Sequence, residues 1–414
     1  MVTAEPAAAR PAPVARSTGL RLLDRPLTDY YLVLGITILL LAVGLVMVLS
    51  TSSATALIDG GAPYAGFQKQ LLGVALGLPL MWIASRSSPT VFRAAAYPAM
   101  ALSVLGLILV LAVGHTVGGG ERWIEVAGFE IQPSEFAKLA FVIWGADLLA
   151  RKERVGQLTE WRHLLLPLLP GAAILSMLVM LGDDMGTTFI LLMIFLALLW
   201  VIGTPARLFV GMLCLMGFAM VILIIVAPYR LERITGFLNP QANLSTSNWQ
   251  ETQGTYAIGS GGWFGVGLGA GKEKWGWVPN SDTDFIFAIL GEELGLVGTL
   301  CVTFLYGGLA YAGLRIARRM RDTFMRLAAA AATGWIVVQA LVNMGAVIGL
   351  LPIVGVPLPL VSAGLSSLLV TMVALGMLMS FARREPGAQR ALGTADPGSA
   401  LRVLSWLGLP GRRD

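Results

Sequence analysis

The chain has 414 residues, 56% of them hydrophobic and only 13% charged, with a formal net charge of +5. That balance is far from the usual soluble composition and excludes a water-soluble globular domain. The presence of only His115 and His163 argues against a histidine-built metal site or a Ser–His–Asp triad, and Cys214 and Cys301 fall inside apolar runs as small apolar residues.

Residues 1–28, rich in Ala, Pro and Arg, read as a disordered basic tail. Ten apolar spans follow, at about 30–50, 67–85, 93–114, 134–150, 163–181, 186–203, 208–227, 285–314, 326–351 and 359–382. Each is near the ~20 residues needed to cross a ~30 Å hydrocarbon core. The first lacks a cleavage site and reads as an anchor. Residues 384–414 form a second tail, in which Leu401–Leu409 could lie on a leaflet. The expected fold is an all-α polytopic membrane protein: ten transmembrane helices over 29–383, with a large extracytoplasmic loop, 228–284, between helices seven and eight.

Basic residues orient it. With both termini cytoplasmic, all but seven of the 29 Lys and Arg fall on the inner side. The surplus positive charge faces anionic lipid and calls for no nucleic acid. The seven exceptions are Lys69, Arg122, Lys138, Arg230, Arg233, Lys272 and Lys274. They gather in outer segments that carry the chemical information.

The first of these, His115–Pro133, sets Arg122 and Trp123 after three glycines and leads into a span holding Glu135 and Lys138. An ammonium one turn inside a span needs an anionic partner or a polar cavity. Lys138 either pairs with Glu135 at i,i+3 or faces a cavity, and the cavity is the reading favoured here. Next, GDDMGTT (182–188) puts Asp183 and Asp184 in a brief turn; a helix cap uses only one of them. The long loop 228–284 contains IGSGGWFGVGLGAG (258–271), then Lys272, Lys274, Trp275 and Trp277, with Gln253 upstream. Its glycines suit a moving lid or close approach to a ligand, and its cations suit phosphate.

The loop ends in PNSDTDFIFAILGEELG (279–295), with Asp284 where polar sequence becomes a helix. A helix N-terminus keeps an acid ionised, which fits a proton acceptor at a membrane surface. On this segment alone a helix cap is the favoured reading. Finally, LLPIVGVPLPLVSAGLSS (350–367) breaks apolar sequence with prolines and glycines, as in a re-entrant segment lining protein or a water-filled cavity.

Taken together, Arg122-Trp123, IQPSEFAKLA (131–140), DDMGT (183–187), PYRLERITGFLNP (228–240), AIGSGGWFGVGLG (257–269), TDFIFAILGEELG (283–295) and the 350–367 segment resemble the SEDS family of shape, elongation, division and sporulation proteins. The resemblance runs from about 30 to 383. It departs from the family pattern at Asp183, Asp282 and Leu365. It implies an inner-membrane glycosyltransferase that polymerises lipid II into glycan strands and releases undecaprenyl diphosphate. The tail and LSTSSA (49–54) look more like the division branch, with a septal role, than the elongation branch.

The resemblance makes Asp284 the general base. It makes Arg122, Lys138, Lys274, Arg230 and Arg233 candidates for the diphosphate, with Asp184, Gln253 and Ser362 also in contact with substrate. A divalent ion, Mg or Mn, could accompany the diphosphate. The implied partners are lipid II, the nascent strand, a class B penicillin-binding transpeptidase and other divisome membrane proteins. A lipid II flippase and a scaffold with a decayed site are the rival readings. The outer placement of most polar features favours the enzyme.

Overall fold

A computed structural model describes residues 27–58, 60–117, 120–126, 128–156, 165–238 and 249–388. Residues 1–26 and 389–414, which include most of both expected tails and Leu401–Leu409, lie outside the described residues, as does His163.

The helices are α1 (Thr28–Ile58), α2 (Ala65–Arg86), α3 (Pro89–Val113), α4 (Pro133–Arg154), α5 (Leu168–Leu181), α6 (Met185–Ile202), α7 (Ala206–Val226), α8 (Pro228–Leu238), α9 (Trp249–Gly261), α10 (Ile286–Arg319), α11 (Thr323–Val347) and α12 (Leu365–Ala382). Eight of them, α1, α2, α3, α6, α7, α10, α11 and α12, are long and apolar enough to span a bilayer. The chain is an integral membrane protein. The other two expected spans correspond to α4, which is long but carries Glu135, Lys138 and Asp147, and α5, which has 14 residues.

The all-α expectation needs correction. Residues after α3 form an antiparallel meander of three short strands, β1 (His115–Val117), β2 (Gly120–Val126) and β3 (Phe129–Ile131). Ile124 pairs with Ile131 and Glu125 with Glu130, which delivers the chain directly into α4.

α11 and α12 are buried along most of their lengths, whereas α7 contributes no buried residue. At the α2–α12 crossing a Cβ on Gly376 would sit 2.4 Å from the Met81 carbonyl oxygen, so only glycine allows this approach.

The described part of the 228–284 segment packs against the helices. Its first part is α8 and, after residues outside the description, α9; the glycine run then lies along a break in α10. Gly295 interrupts that helix with φ 66° and ψ −164°. The break frees backbone groups that must find partners inside a membrane. The loop supplies them: Val266 N donates to Glu292 O (2.9 Å) and Gly267 N to Glu293 O (3.2 Å), while Leu296 N reaches Gly262 O (2.9 Å) and Val297 N reaches Trp263 O (3.1 Å).

The two carboxylates at the break complete the seam. Glu292 accepts from Lys272 N at 2.7 Å. Glu293, fully buried, accepts from Gly269 N, the Ser50 hydroxyl and the Lys274 ammonium, the last two both at 2.7 Å. Lys274 also donates to Ser50 Oγ and Gly269 O. It therefore serves as an internal counter-ion joining α1, the loop and α10.

Breaking such a pair leaves a buried charge unpaired, at a cost of about 3–5 kcal/mol. Lys274→Met is expected to lower the thermal midpoint of the detergent-purified protein sharply, and Lys274→Met with Glu293→Gln to recover most of it. Equal midpoints for wild type and Lys274→Met would show that the pair does not hold the seam.

Candidate active site

A cavity of about 780 Å³ lies where β2, the start of α4, the 183–187 turn, α8, residues 280–284 and the broken 352–367 segment meet. Five of the nine expected site residues line it: Asp284, Arg122, Asp184, Arg230 and Arg233.

Asp284 owes its position to its backbone. The Ala363 amide donates to Asp282 O (2.9 Å), the Ser362 hydroxyl to Thr283 O (2.6 Å), and the Asn343 amide to Asp284 O (2.7 Å). Three successive carbonyls are thus tied to the 356–363 segment and α11. Its carboxylate, in contrast, receives no hydrogen bond from any described residue. It is not the α10 cap: Phe285 occupies that position and the helix start has no side-chain cap bond.

Enclosure by protein pushes the Asp284 carboxyl up to about 6. Arg233 and Arg122 draw it down, and Asp184 and Asp282 push it up. Asp282, on the same turn, is itself raised by burial.

The cations differ in how they are held. Arg230 is neutralised by Asp183 at 2.6 Å and also donates to Leu223 O. Arg122 donates to carbonyls, Gly182 O at 3.1 Å and Asp183 O, and forms no ion pair with a described carboxylate. Arg233 is exposed and forms no ion pair among the described residues. Lys69, from the start of α2, also reaches the wall.

Asp184 is a helix cap that also faces the cavity. Its Oδ1 accepts from Thr187 N (2.9 Å) and its Oδ2 from Gln132 Nε2 (3.0 Å). Among the described residues, no group of three or more His, Cys, Asp or Glu side chains is arranged to hold a metal ion. With Asp183 held by Arg230 and Asp184 by the α6 amide and Gln132, these acids do not fit a nest for Mg or Mn.

Four expected residues are placed elsewhere. Lys138 is buried, pairs with Glu135 at 2.7 Å, donates to Gln339 Oε1 at 3.0 Å and lies over the Trp335 ring. Its partner was the i,i+3 acid, not a cavity. Lys274 belongs to the loop seam. Gln253 is buried in α9, off the cavity wall, whereas Gln250 lines it. Ser362 accepts from Leu358 N (2.8 Å) while donating to Thr283 O, so it braces the backbone.

The sequence reading missed Gln70, Gln132, Gln339 and Asn343. Gln70 and Asn343 brace the site from within spans: Gln70 donates to Ser362 O (3.2 Å) and accepts from Gly364 N (3.3 Å), and Asn343 donates also to Val356 O (2.8 Å). Amides inside apolar spans were the available signal, because burying one demands partners.

Comparison with known proteins places this geometry. Residues 30–386 match the model of the Cell cycle protein family that groups FtsW, RodA and SpoVE. The chain belongs to this family. It is 41% identical to the probable peptidoglycan glycosyltransferase FtsW of Mycobacterium tuberculosis, over 92% of this chain and 73% of that protein. It is 36% identical to stage V sporulation protein E of Bacillus subtilis, over 84% and 95%. Among solved structures, a chain from a peptidoglycan synthase complex that coordinates polymerization and crosslinking matches with a TM-score of 0.69 at 26% identity, covering 88% of this chain and 99% of that one. RodA of Thermus thermophilus matches with a TM-score of 0.62 at 27% identity and the same coverage.

In this family member the clamp on Asp284 can be tested apart from chemistry. Asn343→Leu removes two donors from buried carbonyls, each worth about 1–3 kcal/mol when left unmade. A fall in thermal midpoint is expected, together with faster backbone hydrogen exchange at 283–285 and 356–358. Unchanged exchange at both segments would show that Asn343 does not brace them.

Proposed function

We propose that this protein is a peptidoglycan glycosyltransferase that polymerises lipid II on the outer face of the inner membrane, with Asp284 as general base. The observation that carries this reading is a carboxylate with a fixed backbone and no hydrogen-bond donor among the described residues, open to a large cavity. Such a group has its lone pairs available and a raised proton affinity, which suits it to accept a proton near neutral pH. The names of its relatives supply the reaction class.

In the proposed step a sugar hydroxyl of incoming lipid II loses its proton to Asp284 and attacks the anomeric carbon of the growing strand. The bond from that carbon to the diphosphate oxygen breaks, and undecaprenyl diphosphate departs with the electron pair. Arg122, Arg233 and Lys69, which lack carboxylate partners among the described residues, are the groups suited to the developing charge. Arg230 instead holds the 183 turn in place.

The charge bias supports an orientation with this cavity outside and both termini in the cytoplasm. The mycobacterial likeness favours a division role at the septum over elongation, in company with a class B transpeptidase and other divisome proteins.

Asp284→Asn keeps the shape and removes the base. Polymerisation of lipid II by the purified protein is expected to fall by about 100-fold or more. Stability should not fall with it. A carboxyl raised to about 6 is stabilising to the fold when protonated and costly when ionised at pH 7, so the amide is expected to unfold at the same temperature or higher. Near-normal polymer from Asp284→Asn would sink the assignment, and loss of activity in Asp282→Asn alone would move the role to its neighbour.

The same raised carboxyl sets a pH window. Activity is expected to rise from pH 5 to pH 7 with a midpoint near 6, as Asp284 loses its proton. A lower limb with its midpoint near 4 would show an ordinary exposed carboxylate at work.

A further inference from the structure

α4 runs from Gln132 and Glu135 at the candidate active site to a second cavity at its other end, about 30 Å away for a helix of this length. This cavity has a volume of about 280 Å³ and is lined by Arg93 of α3 and by Asp147, Ala150, Arg151 and Arg154 of α4. Asp322, which caps α11, lies beside it.

The charges do not cancel. Arg93 Nη2 donates to both Asp322 oxygens, at 2.9 and 3.0 Å, and Arg154 approaches the same carboxylate at 3.6 Å. Arg151 holds Asp147 at 2.6 Å. The adjacent Glu153 is occupied by Arg326 at 3.3 Å and by the Thr323 hydroxyl. Among the described residues, three guanidinium groups therefore share two carboxylates, an excess of one positive charge. Arg93 Nε, buried and 3.8 Å from Asp147 Oδ1, has no hydrogen-bond acceptor.

The surroundings narrow the ligand. Arg151 lies over the ring of Tyr97, and Tyr97, Val91 and Val155 are exposed large hydrophobic groups beside the cavity's helices. A phosphodiester carries one negative charge and offers the paired oxygens that guanidinium forks fit. An ion-pair network serving only to pin α3, α4 and α11 would need neither the open volume nor the extra arginine.

We propose that this cavity binds the phosphodiester headgroup of an anionic phospholipid in the leaflet opposite the active site. The leaflet rests on the orientation proposed above; the binding does not, and neither does it depend on the enzymatic reading.

The test is a lipid titration of delipidated, full-length protein in detergent, followed by thermal unfolding. Phosphatidylglycerol is the probe, with phosphatidylcholine as the zwitterionic comparison and sodium phosphate as competitor. Arg151→Gln with Arg154→Gln removes two exposed guanidinium groups and leaves the Arg93–Asp322 brace intact. The half-saturating phosphatidylglycerol concentration is expected to rise roughly 30-fold in that variant. Arg207→Gln with Arg321→Gln, the same charge change at exposed positions off the cavity wall, should leave it unchanged. Equal titrations for wild type and the cavity variant, or equal losses in both double variants, would overturn the site. Displacement of the lipid by inorganic phosphate at matched phosphate concentration would overturn the lipid assignment in favour of a free anion.

Discussion

A non-helical stretch of backbone inside a membrane protein must have its carbonyls and amides satisfied by protein. Residues 350–364 meet that demand through buried amides and hydroxyls. Gln339 reaches Pro357 O, Asn343 reaches Val356 O, Tyr306 reaches Pro359 O, and Gln70 reaches Ser362 O. The same groups and their neighbours bind the carbonyls of 282, 283 and 284. Satisfying the broken segment therefore also fixes the backbone of the candidate base, and the helix that begins at Ile286 inherits its position from it.

The break in α10 at Gly295 obeys the same rule on the other side of the loop. There the freed groups are met by the glycine run, and Glu292, Glu293 and Lys274 seal the seam. The Asp284 turn is tied to the first break and immediately precedes the helix that carries the second. Rigidity on both sides fits electrostatic preorganisation, since donors and charges that are already placed cost no reorganisation when a reaction proceeds. The Asp284 carboxylate has no donor among the described residues, which separates a positioned backbone from an available carboxylate.

Much of this was visible in the chain. Apolar length and basic asymmetry identified a polytopic membrane protein, and Asp284 stood out at a polar-to-apolar seam. The partners of the buried cations were not visible. Lys138 had a local acid at Glu135, but its second partner, Gln339, lies 201 positions away. Lys274 and Glu293 meet because a kink and a loop fold together, and no periodicity encodes that meeting. The meander at 115–131 read as loop because two of its strands have three residues each, shorter than any alternation can reveal. Gln70 and Asn343 were legible as polar residues in spans, yet what they brace depended on the tertiary fold.

The central claim is that Asp284 is a fixed, donor-free carboxylate whose proton affinity is raised by its enclosure. Infrared difference spectroscopy of the protein against Asp284→Asn, titrated from pH 4 to pH 8, reads that group directly through the C=O stretch of its protonated form. The account requires a protonated-acid band, absent from the variant, that disappears with a midpoint near 6. A band that titrates near 4, or no band attributable to Asp284, would contradict it.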